Sequence, residues 1–198
     1  MSETTICGIS YNDFLIRVEE FHGYRSPGIL LGGIMVENAL RELGPTPYLN
    51  VVTETVVCLP DAVQLLTPCT IGNGFLQILD WGKFALTAYD RMTLNGVRVW
   101  LNYERMADYP LINSWFARST ENRQKPAFEE IAKEILSAGS NLVLYRRVRL
   151  QRALKDSQPM PTGLCPKCGE SYPLDHGPTC PSCQGEAYYE YKKASDIS

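Results

Sequence analysis

No run in the 198-residue chain approaches the ~18 uncharged apolar residues that a membrane span needs. The longest apolar stretch, Ile29 to Val36, is interrupted by Gly32 and Gly33. The start, Met-Ser-Glu-Thr-Thr-Ile-Cys, lacks a basic region followed by an apolar one, so no secretory leader is expected. No internal repeat or low-complexity segment is visible. Positive charge is not in excess either: 19 Lys and Arg stand against 22 Asp and Glu, a net charge of -3. Nucleic-acid binding through overall charge is therefore not expected, and a cytoplasmic location is. The composition, 44% hydrophobic and 21% charged, is that of a chain able to bury a core.

Cysteine is what the chain does have. Four of its seven cysteines fall in the last 34 residues. In a reducing compartment, clustered cysteines are more often metal ligands or redox thiols than disulfides.

The apolar periodicity predicts an α+β body with a mostly antiparallel sheet and packed helices. Phe14, Leu15, Val18 and Phe21 mark an amphipathic helix over residues 10–20. A second helix is expected from Ser26 as N-cap and Pro27 as first helical residue to about Leu43, stopped by Gly44. It is apolar almost all round in its first half, so it should be buried on most sides, with Gly32 and Gly33 serving close packing. Strands are predicted at Leu49 to Val57, Leu76 to Leu79, Phe84 to Tyr89 and Val97 to Tyr103, with Asn95-Gly96 as a hairpin turn. A short helix followed by a Gly-containing loop is expected between Cys58 and Gly74. A further helix should start at Pro126 and close at Gly139, before a strand containing Leu142, Leu144 and Val148. The basic run Arg146, Arg147, Arg149, Arg152 and Lys155 follows. The polar, Pro-containing stretch 156–163 reads as a linker, dividing a core domain, 1–155, from a linker and C-terminal module, 156–198.

In that module Cys165-Pro-Lys-Cys168 pairs with Cys180-Pro-Ser-Cys183, with 11 residues between the pairs. Each pair makes a knuckle presenting two thiolates, and two knuckles complete the tetrahedron of a structural Zn²⁺ site. A small zinc ribbon is expected, with Tyr172, Tyr188, Tyr189 and Tyr191 as cover. Iron in a rubredoxin-like site and a dithiol redox pair are the alternatives. His176 is expected outside the ligand set, since four thiolates already close the site. So short a tail needs its metal to fold.

In the body, His22, Cys58 and the Asp61-to-Cys69 stretch carry residue types suited to transition metals or to proton and thiol chemistry. The plainer alternative is that Cys58 and Cys69 are buried small hydrophobes and His22 is a hydrogen-bonded core histidine. No Gly-rich loop opens a helix to cradle phosphate, which argues against a pterin or nucleotide site of the chain's own.

Over roughly residues 10–150 the chain resembles the FmdE-like family, whose namesake FmdE is a component of formylmethanofuran dehydrogenase. The resemblance rests on Phe-His-Gly-Tyr-Arg-Ser-Pro-Gly, the helix ending Ala-Leu-Arg-Glu-Leu-Gly, and the stretch from Cys58 to Leu76, Cys-Leu-Pro-Asp-Ala-Val-Gln-Leu-Leu-Thr-Pro-Cys-Thr-Ile-Gly-Asn-Gly-Phe-Leu. It implies an α+β core, usually dimeric, acting as an accessory component, with tungsten or molybdenum pterin chemistry left to other subunits. A homodimer and a dehydrogenase-type protein partner are thus expected. Some members carry a C-terminal zinc ribbon. The family pattern near the start is similar to Phe-His-Gly-His-x-Cys-Pro-Gly. His22 matches its first His, while Tyr24 stands in place of the second and Ser26 in place of the Cys. Cys58, Asp61, Gln64, Cys69, Thr70, Gly72 and Gly74 match the second motif, and Pro68 replaces a Gly. The resemblance implies His22, Tyr24, Cys58, Asp61, Gln64 and Cys69 as candidate core ligands or catalytic groups. With two ligands lost, a second metal ion in the core is expected to bind weakly or not at all, leaving a small-ligand pocket with His22 and Cys58 as its reactive groups.

Three functions follow as alternatives. One is an accessory metal-binding protein. Another is a thiol enzyme with Cys58 as nucleophile and His22 as base. The third is a zinc-ribbon nucleic-acid or regulatory binder using the arginine run, which the acidic total disfavours.

Overall fold

A computed structural model of the protein describes residues 4–117, 126–152, 154 and 160–190. It divides into two compact units, Met1–Asp156 and Ser157–Ser198.

The first unit opens with a small antiparallel hairpin, β1 (Thr5–Ile6) and β2 (Ile9–Ser10). Its two-residue turn, Cys7 and Gly8, has positive φ at both positions, the twist that suits a tight hairpin. Helix α1 (Tyr11–His22) follows directly. Ser10 Oγ accepts the Asp13 N–H to cap it, and left-handed Gly23 ends it. Helix α2 (Pro27–Leu43) starts at the expected proline and is buried nearly all round. It touches β5, β6, α3 and α5, so it is the axle of the core. Ile29, Leu30, Leu31 and Met35 are almost wholly buried. Each such side chain contributes about 1.5–3 kcal/mol.

The remaining elements are β3 (Leu49–Thr53), α3 (Leu59–Leu66), β4 (Leu76–Ile78), β5 (Ala85–Asp90), β6 (Asn95–Leu101), α4 (Pro110–Ala117), α5 (Phe128–Ala138) and β7 (Val143–Arg149). The sheet order is β4-β3-β5-β6-β7. All its pairings are antiparallel except β3 with β4. Alternation fixes the faces: Val97, Val99 and Leu101 of β6 join the core, and Arg98 and Trp100 lie on the opposite face.

Two sequence expectations need correction, and one element is unforeseen. Asn95-Gly96 does not form the turn but opens β6. The reversal comes earlier, where Asp90 Oδ1 accepts the N–H groups of Met92 and Thr93 and Leu94 has φ 60°. An aspartate turn thus replaces the Asn-Gly turn, and Gly96 instead lets Tyr89 lie close: a Cβ there would sit 2.7 Å from the Tyr89 Cβ. The first strand stops at Thr53, not Val57, because the Glu54 C=O accepts the N–H groups of Trp81 and Lys83 and the chain turns away. Helix α4 carries no expectation in the sequence. It is short, and a proline rather than a polar cap begins it. Lys155, Tyr191 and residues 156–159 of the expected linker lie outside the described residues.

The second unit holds β8 (Thr162–Leu164) and β9 (Ser171–Pro173), an antiparallel hairpin around the first cysteine knuckle. The second knuckle leads into a single helical turn, Pro181–Gln184. Tyr172 is buried against the cysteines, but Tyr188 is 96% exposed and Tyr189 39% exposed. The expected aromatic cover therefore reduces, among the described tyrosines, to Tyr172.

Candidate functional site

The four sulfurs of Cys165, Cys168, Cys180 and Cys183 lie within 4.8 Å of one another. Two turns bring them together. The Gly169 N–H bonds the Cys165 carbonyl in the first knuckle, and the Gln184 N–H bonds the Cys180 carbonyl in the second. The Cys180 N–H donates to Cys165 Sγ, tying the knuckles to each other. The Cys168–Cys180 sulfur separation is 3.7 Å. That matches the edge, about 3.8 Å, of a tetrahedron with Zn–S bonds of about 2.3 Å.

The thiol acidities differ within the group. Hydrogen bonding from the Cys180 backbone lowers the Cys165 thiol to about 6. The Ser182 hydroxyl lowers Cys180. The sulfur of Cys180 pushes Cys183 up to about 12, and Cys168 is raised as well. Two thiols are lowered and two raised, the pattern of neighbouring sulfurs that compete for protons when they stand close together. His176, beside Asp175, stands outside this sulfur group.

In the first unit, the end of α1 and the start of α3 meet. His22 Nδ1 lies 2.7 Å from Asp61 Oδ2. A carboxylate only accepts, which assigns the shared proton to Nδ1. Nε2 is then an acceptor or ligand, and among the described residues it is buried without a hydrogen-bond partner. The exposed Tyr24 ring packs on the imidazole at 4.7 Å between centroids.

Cys58 occupies the N-cap position of α3 with φ 57° and ψ -44°. The Leu59 N–H reaches back to the Val57 carbonyl at 2.6 Å. Cys58 is therefore the centre of a γ-turn of the rare, strained hand. Its sulfur lies 3.4 Å from Ser26 Oγ. The Ser26 side chain makes no capping bond to α2, so the hydroxyl is turned to Cys58 rather than spent as the expected cap.

The other two core candidates have structural contacts. Cys69 is wholly buried, its sulfur donates to the Leu49 carbonyl, and burial raises its pKa. Gln64 Oε1 accepts the Ile71 N–H. With Asn73, whose Oδ1 accepts from Thr70 and Phe75, it secures the loop after α3. Among the described residues, the four C-terminal thiols are the one group of three or more such ligand atoms close enough to share an ion.

Fold and site define a two-part protein: an α+β unit centred on one buried helix, and a small four-thiol zinc module. The chain belongs to the FmdE family. Residues 21–144 match the family described as "FmdE, Molybdenum formylmethanofuran dehydrogenase operon", and residues 157–190 match the FmdE treble clef zinc finger. It is similar to a crystal structure of a tungsten formylmethanofuran dehydrogenase FmdE-like protein from Syntrophus aciditrophicus. That likeness has 40% identity and a TM-score of 0.84, over 96% of this chain and 100% of the other. It is also 39% identical over 103 residues to a probable S-adenosyl-L-methionine-binding protein of Archaeoglobus fulgidus. The match covers 48% of this chain and 28% of that protein, so the chain spans well under two thirds of it. Among the described residues no helix is long and apolar enough to cross a membrane.

Proposed function

We propose that the protein is an accessory metal-binding component, like the FmdE component of tungsten or molybdenum formylmethanofuran dehydrogenases. Its C-terminal module would hold one structural Zn²⁺ through Cys165, Cys168, Cys180 and Cys183. The observation carrying this reading is the closed set of four sulfurs at tetrahedral spacing. Four thiolates leave no open position, so this ion does no Lewis-acid chemistry and serves folding. Elemental analysis of the purified protein should find one tightly held zinc per chain, lost or loosened in Cys165→Ser. Purified protein without zinc would overturn the assignment.

The core supports a second, weaker site. A carboxylate holding one imidazole nitrogen leaves the other to face a metal, the usual arrangement around metal-bound histidine. Asp61 and His22 have that relationship, and the orphaned Nε2 is the free end. His22 and Cys58 would be the protein ligands, with other positions left to a small molecule. A bound ion there would make a thiolate of Cys58. The family further supports a homodimer, a dehydrogenase-type partner and a cytoplasmic setting for the protein. Sedimentation of the purified chain tests the first of these.

One observation favours a thiol enzyme as the second reading. The strained γ-turn sets Cys58 at the start of a helix, in the element that also supplies Asp61 to His22. Cys58 would be the nucleophile and His22 the base. Rapid alkylation of Cys58 at neutral pH, slowed in His22→Ala and unaffected by chelator, would favour the enzyme. Protection by added Zn²⁺ or Co²⁺ would favour the metal site.

A further inference from the structure

Strand β7 stands at the end of the five-stranded sheet. Its register with β6 decides which backbone groups it has left. The Asn102 N–H bonds the Leu142 carbonyl, and the Leu150 N–H bonds the Leu94 carbonyl. Even-numbered residues of β7 therefore turn their backbone toward β6. The odd ones, Val143, Tyr145, Arg147 and Arg149, turn theirs to the open edge. The Val143 N–H is taken by the Ser140 carbonyl. Among the described residues, the N–H groups of Tyr145, Arg147 and Arg149 have no backbone acceptor.

The side chains add charge to this edge. Leu144, Tyr145, Arg146, Arg147 and Arg149 are all exposed. Among the described residues no carboxylate forms an ion pair with Arg146, Arg147, Arg149 or Arg152. The nearby Glu42 carboxylate raises the Tyr145 pKa, and Arg147 is near enough to oppose that shift. Among the described residues, the three guanidinium groups of β7 thus stand without a carboxylate partner at the edge of a protein whose net charge is -3.

We propose that β7 is a docking strand for an extended acidic peptide of another protein, which would add a sixth strand to the sheet. Three properties of the edge select this occupant. A second copy of the chain pairing antiparallel about Arg147 would set arginine against arginine, and like charges opposite each other destabilise. A nucleic acid can take the backbone N–H groups with its phosphates but offers nothing to the carbonyls that alternate with them, and it is best met by cations on one surface. Here Arg147 and Arg149 lie on one face of the strand and Arg146 on the other. An acidic strand satisfies the open N–H and C=O groups and sets its carboxylates against Arg147 and Arg149.

The register also gives the side-chain pattern. Residues opposite Arg149 and Arg147 are two apart in the partner and should be Asp or Glu. The one between faces Val148 and should be apolar.

The test is anisotropy of a fluorescein-labelled eight-residue peptide alternating Glu and Val, titrated with the full-length protein. Binding should weaken about tenfold when the amides on the peptide's pairing edge are N-methylated, and little when those on the other edge are. It should weaken by a similar factor, about tenfold, in Arg147→Glu/Arg149→Glu, and that variant should instead take up a Lys-Val peptide. Circular dichroism of the variant controls for folding. No binding, equal binding of both N-methylated peptides, or tighter binding of a twelve-residue oligothymidylate than of the Glu-Val peptide would each overturn the proposal.

Discussion

Gly28 and Cys58 are in contact across the junction of α2 and α3. A Cβ placed on residue 28 would lie 2.8 Å from Cys58 Sγ and 2.9 Å from its Cβ. The glycine is therefore the space into which the strained thiol projects, and the Trp115 ring closes that space at 3.4 Å. The residue types of the His-Gly-Tyr-Arg-Ser-Pro-Gly segment acquire separate uses here. His22 takes Asp61, Ser26 takes Cys58, and Gly28 makes room.

Gly28→Ala should displace Cys58 and relax its γ-turn. Overpacking of this kind costs about 1–3 kcal/mol. The expected result is a lower unfolding midpoint together with an altered rate of Cys58 alkylation in the still-folded protein. An alanine variant with unchanged alkylation would separate the glycine from the thiol's placement.

Zinc removal should act on the second unit alone. The unit's buried core is small, confined to Cys165, Tyr172 and Cys180 with Cys183 packed against them. Chelation at neutral pH should abolish its amide protection in hydrogen exchange and leave that of α2 and β5 intact. In the stripped protein all four thiols of this unit should become open to alkylation. Re-added Zn²⁺ should protect all four.

Cys7 and Cys69 should stay silent in the same experiment. Burial and the nearby Glu37 push the Cys7 thiol up to about 12, and burial raises Cys69. Thiolate, not thiol, reacts, so neither should label at pH 8 while the first unit is folded. Labelling of either without unfolding would contradict their placement.

The Asp90 turn should make stability depend on acid. Hydrogen bonds from Thr46 and the Thr93 backbone lower the Asp90 pKa. A group depressed on folding contributes fully above its unfolded pKa and loses that contribution as pH falls through the folded value. The gap in urea midpoint between the protein and Asp90→Asn should therefore be widest near neutrality and close under acid conditions. A gap independent of pH would assign the loss to shape rather than charge.

Much of this architecture is legible in the sequence because it rests on local chemistry. Ser26-Pro27 and Gly44 bracket α2, and the two Cys-x2-Cys knuckles announce their own geometry. What stays hidden depends on partners far along the chain. Nothing near Cys58 in sequence signals a positive φ, since the strain is held by α2 on one side and α3 on the other. Asn95-Gly96 carries the strongest local turn signal, yet Asp90 wins because its carboxylate satisfies two N–H groups at once. Gln64 and Cys69 share a motif with Cys58 and Asp61, but a loop and a core separate their uses. Edge strand β7 is visible in the sequence only as a basic run, because which side chains share a face follows from register.

The α2–α3 contact offers a test that distinguishes packing from helix propensity. Gly32 lies in the middle of α2, where alanine would ordinarily gain about 1 kcal/mol. Here a Cβ on residue 32 would sit 2.7 Å from the Ala62 Cβ and 3.2 Å from Leu59 Cδ1. Both neighbours belong to α3 and are wholly buried, so neither can swing aside. Gly32→Ala should therefore destabilise despite its better propensity, by about 1–3 kcal/mol. Ala62→Gly alone should also destabilise, by opening a gap and loosening α3. Combined, the two changes exchange a methyl across the contact, and the double variant should be more stable than the sum of the single losses. A double-mutant cycle by urea unfolding measures that coupling. Strict additivity would mean that the two helices do not meet at these residues. A positive coupling with a raised Cys58 alkylation rate in Gly32→Ala would show that this contact also sets the thiol at the head of α3.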